Sequence, residues 1–404
     1  MSLFKMAWRN VWRNPRRSVV TIAAMTLALW TMILYSGLVE GYLGSMEGDI
    51  IDMEVGDIQI FAEGYQDKPS LYTAVEDLDA LLGRFDDAGY PASARLMAGG
   101  LAASGEFSSG VLFRGIDVDR DATVSLIHEQ LTLGAWLEPT DLDGVVLGKR
   151  LAKTLAVQPG DELIALTQAS DGSIANALFT VRGVLGSVGE GTDRAAVIMT
   201  EAAFRDLMVF PEGAHQLIVR RGERLLPDAA AEVRAIAGDG LDVKTWRELM
   251  PTIAQMLDST RGLIYMVFFI VYIAIGILLL NAMLMAVFER IREFGVMKAL
   301  GVGPSVVFRL ILAEAAVQTL LALVAALLLS IPAAWYMTVS GIPVGSLSDM
   351  SIMGLTFEPV LMGDFTVQTY TGPIVVMLVI VSIAVIFPAI RAARLKPVDA
   401  MRHR

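Results

Sequence analysis

Twenty-seven consecutive residues, Gly262–Phe288, carry no charged side chain. As a helix the run reaches about 40 Å at 1.5 Å per residue, more than the roughly 30 Å of bilayer hydrocarbon. Backbone amides cannot stay unpaired in lipid, so such a run spans as a helix or not at all. Ser18–Val39 is a second uncharged run, long enough to cross. Leu310–Val339 is the third apolar run, with Glu314 and Gln318 near its start and Pro332 placed to kink it. Pro373–Ile390 is the fourth. The expected fold class is therefore an α-helical membrane protein with four transmembrane helices.

Charge is segregated around these runs. Residues 41–260 hold 35 acidic and 17 basic side chains, while the rest of the chain holds 8 acidic and 15 basic. Cytoplasmic loops are enriched in Lys and Arg. The expected organisation is a cytoplasmic interfacial helix at 1–17, a span at 18–40, an outer domain at 41–260 and a span at 261–288. A cytoplasmic segment at 289–309, a span at 310–339, an outer loop at 340–372, a span at 373–390 and a cytoplasmic tail at 391–404 complete it. The acidic block has its own element pattern and is read as a mixed α+β domain. Strands are expected at 58–62, 110–114, 145–147, 163–167, 178–185 and 195–199, with Ile58, Ile60 and Ala62 on one face. Helices are expected at 74–85, 149–155, 201–207 and 228–237. The polar residues 168–177 between two strands read as an exposed hairpin tip.

Two short stretches stand at the cytoplasmic boundary. Residues 1–17 contain five basic side chains and no acidic one. Leu3, Phe4, Met6, Ala7, Trp8, Val11 and Trp12 are expected on one face of a helix lying in the interface. A secretory leader is disfavoured by the length of the following apolar run and by the lack of a small-residue cleavage site. Glu289–Leu300, ERIREFGVMKAL, places Ile291, Phe294, Val296, Met297 and Leu300 at helical spacing among charges. A polar helix between two spans lies at the water interface or docks onto another protein. Glu314 is expected to pair with Arg309 or Lys298 near that boundary.

Catalytic chemistry is not legible. Residues 144–150, GVVLGKR, have one residue too few between the glycines for a phosphate loop and lack its Ser/Thr. Cysteine is absent, and His128, His215 and His403 are far apart, which argues against zinc and disulfides. No basic patch suggests nucleic acid. The chain reads as a non-enzyme without a cofactor or metal of its own.

Three passages resemble the FtsX/MacB-type ABC permeases: AWRNVWRNPRRSVVTIAAM at 7–25, ERIREFGVMKALGV at 289–302 and PAIRAARLKPVDAMR at 388–402. FRGID at 113–117, DGVVLGKRLAKTLAVQPGDEL at 143–163 and FTVRGV at 179–184 resemble the LolC/LolE subfamily of lipoprotein-releasing permeases. The resemblance implies a bacterial inner-membrane, multi-pass protein with a MacB-like periplasmic domain of two lobes. It implies a second permease chain in a homo- or heterodimer and a separate cytoplasmic ATPase subunit that binds ATP and Mg. It implies work by mechanotransmission on a lipid or lipoprotein substrate, with a periplasmic chaperone or adaptor as a further partner. Glu289, Arg290, Arg292, Glu293, Phe294, Met297 and Lys298 are the expected ATPase-coupling residues. Leu34, Tyr35, Leu38, Val39, Leu263, Met266, Val267 and Ile270 are the expected acyl-chain cradle. Ser170, Asp171, Gly172, Ser173 and Asn176 are the expected partner hairpin. A MacB-like exporter of periplasmic substrates and an FtsX-like regulator of a cell-wall hydrolase are the alternatives.

Overall fold

The computed structural model describes residues 3–343, 351–352, 355–356 and 360–394. The tail from 395, most of the closing motif and much of the 340–372 loop lie outside the described residues. Two compact units emerge. One holds the described residues up to Gly44, from Met256 to Pro343, and from Val360 onward. The other is Ser45–Gln255 with residues 351–352 and 355–356.

The chain opens with helix α1, Leu3–Val11, and helix α2, Pro15–Ile50. Proline suits the first turn of α2, where its missing N–H has no intrahelical partner to lose. The helix does not stop at Val39: residues 41–50 continue it, and Ile51–Val55 form one wider π turn. The turn ends at Gly56, whose φ of +70° is left-handed and whose added Cβ would lie 2.3 Å from the Ile218 side chain. Both facts demand glycine.

The Ser45–Gln255 unit is built on one ten-stranded sheet. Its elements in chain order are β1 Ile58–Ala62, α3 Leu78–Asp87, β2 Ala92–Ser104, β3 Phe107–Ile116, α4 Val118–Val124, β4 Leu131–Gly134, β5 Gly144–Leu147 and α5 Lys149–Leu155. There follow β6 Glu162–Gln168, β7 Ile174–Leu185, α6 Glu190–Ala195, β8 Ala196–Thr200, α7 Glu201–Met208, β9 Gln216–Val219, α8 Leu226–Ala237, β10 Leu241–Thr245 and α9 Trp246–Leu249. The strand order is β10-β1-β9-β2-β3-β8-β5-β7-β4, with β6 against β2 and β7. Where two lobes were expected there is one continuous sheet carrying separate cores. Helices α3 and α8 cover one core, around Ile58, Phe85, Leu217 and Val233. Helices α5 and α7 cover another, around Phe113, Leu151, Leu163 and Phe204.

Two local expectations need correction. Strand β1 is buried on both faces, not one: Gln59 is satisfied by donating to the Val55 carbonyl at 2.7 Å. Asp57 is satisfied by the Arg221 guanidinium at 3.0 Å and the Arg221 N–H at 3.1 Å. Helix α3 starts at Leu78 rather than Ala74, because Val75 bridges to Ala214 through two backbone hydrogen bonds, 2.7 and 3.1 Å.

The remaining helices are α10 Pro251–Glu289, α11 Ile291–Ala299, α12 Pro304–Val339 and α13 Val367–Arg394. Helices α2, α10, α12 and α13 are long and apolar enough to cross a membrane. They share a core that includes Met25, Ile33, Phe268, Tyr272, Phe294, Ile311, Ala322 and Val385. The Tyr272 hydroxyl donates to the Pro373 carbonyl at 2.9 Å, tying α10 to α13. Gly37 faces the Phe365 ring so closely that a Cβ would meet it at 2.2 Å.

Candidate functional site

Helix α11 is short, and its burial decides what it can present. Ile291, Phe294 and Gly295 are buried, with Phe294 only 1% exposed inside the helical core. Met297 is partly buried against the same core. Arg292, Val296 and Leu300 lie on the other side, and Leu300 is 81% exposed. Positions 292, 296 and 300 recur every four residues and so form one stripe. The expectation that Phe294 and Met297 face a partner is therefore corrected: their side chains hold α11 to its own bundle. The accessible large apolar side chains of the segment are Val296 and Leu300.

The charges of this segment are mostly engaged internally. Arg290 donates through Nη1 to both Glu314 oxygens, at 2.7 and 2.8 Å, and through Nε to Glu293 at 3.1 Å. Its guanidinium also lies 5.2 Å from the Phe294 ring centroid. Asn10 donates to Glu314 at 2.5 Å. Glu314 therefore pairs with Arg290 and Asn10, not with Arg309 or Lys298. Arg13 donates to Glu293 through two nitrogens, and Arg17 donates to Glu289 at 2.7 Å. The hydrogen bond from Arg13 holds the Glu293 carboxyl below the usual carboxylate range. Lys298 donates to the Ala393 carbonyl of α13, and burial pushes its ammonium pKa down. Among the seven expected coupling residues, Arg292 alone is an exposed charge with no ion pair or hydrogen bond to another described residue.

Helix α1 completes this end of the unit. Ala7 and Val11 are buried against Leu310 and Val317 of α12. The Ser18 hydroxyl donates to the Val11 carbonyl at 2.6 Å, fixing the bend into α2. Phe4, Trp8 and Trp12 are exposed on a different side, the two indoles edge to face at 6.2 Å. The single apolar face expected for residues 3–12 is thus two faces, one against α12 and one open. Sequence reasoning passed over Asn10, Arg13 and Arg17 as partners. One signal was present: arginines at 13 and 17 and glutamates at 289 and 293 share a four-residue spacing, and they pair in antiparallel order.

The expected cradle residues fall on two neighbouring helices. Tyr35 of α2 meets Phe268 of α10 edge to face at 5.7 Å, and Glu40 pairs with Arg261 at 3.3 Å. Leu263, Met266, Val267 and Ile270 are exposed, while Leu34, Leu38 and Val39 are half-buried. Phe268, between them, is buried against α2.

The expected hairpin is shorter than residues 168–177. β6 and β7 pair up to Gln168 and Ile174, so Asn176 is a strand residue opposite Leu166. The correction follows from tertiary pairing of a polar, alanine-rich stretch that has little strand propensity of its own. The tip is residues 169–173. Its base is tied to α7: the Ser170 N–H donates to the Met208 carbonyl at 2.8 Å and its hydroxyl to the Val209 carbonyl. Asp171 accepts from the Ser173 N–H and hydroxyl at 2.9 and 2.6 Å, leaving Asp171, Gly172 and Ser173 exposed.

No group of three metal-ligating side chains exists among the described residues.

Residues 18–236 match the MacB-like periplasmic core domain, and residues 265–397 match the FtsX-like permease C-terminal family. A lipoprotein-releasing system transmembrane protein LolC, from Xylella fastidiosa, is 21% identical, over 74% of this chain and 74% of its own. The periplasmic region of MacB from Actinobacillus actinomycetemcomitans is 14% identical, with a TM-score of 0.35, over 50% of this chain and 92% of that one. The extracellular domain of the ABC-type transporter YknZ from Gram-positive bacteria is also 14% identical, with a TM-score of 0.35, over 46% and 99%.

Proposed function

From the premise that this chain belongs to the ABC transporter permeases with a MacB-like core domain and an FtsX-like C-terminal part, we propose that α11 is the docking helix for a separate ATPase subunit. The observation that carries this is the division of α11 into a buried face and an exposed stripe of Arg292, Val296 and Leu300. An apolar pair beside one arginine suits a helix-in-groove contact. The buried face, the pair of its N-cap Arg290 with Glu314 and the pair of Glu293 with Arg13 tie the helix to α12 and to the bend between α1 and α2, while Arg17 ties α2 to Glu289 at the end of α10. A push on α11 therefore reaches the spans, which is what mechanotransmission requires.

The family and the charge segregation support an inner-membrane location, with 1–17, 289–309 and the tail in the cytoplasm and the acidic domain in the periplasm. A second permease chain completes the assembly, and ATP and Mg belong to the ATPase. For substrate, the LolC likeness favours lipoprotein extraction. The exposed apolar side chains of α10, Leu263, Met266, Val267 and Ile270, form the acyl-chain cradle with Leu34, Tyr35, Leu38 and Val39 of α2. The hairpin tip Asp171–Ser173 offers a small polar surface to a chaperone or adaptor.

The test is affinity purification of the tagged full chain from its own membranes, with mass spectrometry of proteins and lipids. An ATP-hydrolysing subunit together with triacylated lipoprotein is the expected result. Leu300→Asp is expected to lose the ATPase, and Met266→Asp with Leu38→Asp to lose only the lipoprotein. Purification without any ATPase overturns the reading. An ATPase with a hydrolase or adaptor and no lipoprotein overturns the substrate and keeps the coupling.

A further inference from the structure

Helix α1 carries a feature that ATPase docking does not use. Met6, Trp8, Arg9, Asn10, Trp12 and Arg13 line an open groove of about 630 Å³. Both indoles are more than two-fifths exposed. Of the polar groups, Asn10 is held by Glu314 and Arg13 by Glu293. Arg9 is exposed on the groove wall, with no ion pair or hydrogen bond to another described residue.

Three observations say what fits there. The charged side chains that line it, Arg9 and Arg13, are both basic, in a stretch, 1–17, that contains five basic side chains and no acidic one. The depth is that of headgroups: α1 lies along Leu310–Val317, where the apolar run of α12 begins just after Arg309. The aromatic groups are indoles, which favour the bilayer interface, with one side against acyl chains and an N–H for the glycerol region. A guanidinium fork matches a phosphate in geometry as well as charge.

We propose that this groove binds one anionic phospholipid. Arg9 and Arg13 hold the headgroup phosphate and Trp8 and Trp12 flank the glycerol and the upper acyl chain. A consequence follows from Arg13, whose guanidinium already serves Glu293 of α11 through two nitrogens. The phosphate and Glu293 compete for it. An anionic lipid in the groove loosens the tie between the α1–α2 bend and α11, so the surrounding leaflet sets how firmly the docking helix is held. The site itself does not depend on the identity of any protein partner.

The experiment is native mass spectrometry of the purified full chain in micelles, titrated with phosphatidylglycerol or phosphatidylcholine. One phosphatidylglycerol is expected to bind at least about tenfold more tightly than phosphatidylcholine. A basic side chain near an anionic surface contributes roughly a fivefold factor, so Arg9→Gln is expected to weaken phosphatidylglycerol by about that amount. Trp8→Ala is expected to weaken both lipids. Glu293→Gln is expected to tighten phosphatidylglycerol, because Arg13 is released to it. Arg9 is exposed, so Arg9→Gln leaves the fold intact, and an unchanged thermal transition checks this. Equal affinity for the two lipids, or no effect of Arg9→Gln, overturns the site. Binding of soluble glycerophosphoglycerol as tight as the lipid overturns the lipid assignment. Unchanged affinity in Glu293→Gln overturns the competition.

Discussion

Replacing Glu314 with alanine is expected to destabilise the helical unit and to free two elements at once. Glu314 and Arg290 are only 13% and 14% exposed, and Glu314 accepts two bonds from Arg290 and one from Asn10. Removing one partner of a buried pair costs about 3–5 kcal/mol, because the other charge stays buried without compensation. Arg290 keeps Glu293 at 3.1 Å, so the lower end applies. We expect about 3 kcal/mol for Glu314→Ala and a similar cost for Arg290→Ala. The double variant is expected to cost about 4 kcal/mol rather than the sum, leaving a coupling of about 2 kcal/mol. At roughly 2–4 °C per kcal/mol for a unit of this size, each single variant lowers Tm by about 6–12 °C. The assay is thermal unfolding of the micelle-solubilised chain across the four-member cycle, with hydrogen exchange over 3–11 and 291–299. Faster exchange in both segments is expected, since Glu314 touches Asn10 and Arg290 together. Strictly additive Tm shifts, or exchange changed in one segment only, refute the reasoning.

Three further predictions follow from burial, close approach and titration. Phe294→Ala is expected to cost about 3–4 kcal/mol by leaving a cavity in the helical core; Val296→Ala, on the exposed face, should shift Tm by less than about 2 °C. Gly37→Val is expected to destabilise by about 1–3 kcal/mol, because a Cβ there meets the Phe365 ring at 2.2 Å. Phe365→Ala should recover part of that loss, and no recovery would mean that another contact sets the cost. His215 is fully buried beside Phe210 at 5.0 Å, accepts from the Met97 N–H at 2.9 Å, and has its pKa lowered by burial. The unfolded imidazole takes up a proton near pH 6.5, so it binds more protons than the folded one below that value. Stability is therefore lost as pH falls through about 6.5 toward the depressed folded pKa. Denaturant unfolding from pH 8 to 5 checks this, and His215→Gln is expected to flatten the slope.

The sequence revealed elements whose signal is local and hid those whose cause is tertiary. The apolar runs announced themselves, because lipid imposes composition over a whole turn-by-turn length. Helix α5 was legible to the residue at Lys149–Leu155. Strand β2, thirteen residues of ASARLMAGGLAAS, was not, since alanine and glycine give little strand preference. It is a strand because β3, β9 and β6 pair with it along its length. Span and helix need not share an end: composition marks where lipid begins, whereas α2 runs on to Ile50 and α10 starts at Pro251. At the candidate site, periodicity gave α11 but not which face was covered. Phe294 and Leu300 look alike in a pattern, and only the neighbouring helices separate them. The partners of Glu314 sit 24 and 304 positions away, beyond any local reading.

The most direct test of the coupling account is site-specific photo-crosslinking from α11 in native membranes. A photoreactive residue is placed in turn at Val296, Leu300 and Phe294. The account predicts one adduct with the nucleotide-hydrolysing subunit from positions 296 and 300 and none from 294, whose side chain is buried in its own bundle. Adducts from 294 as strong as those from 300, or no adduct from any of the three, would contradict it.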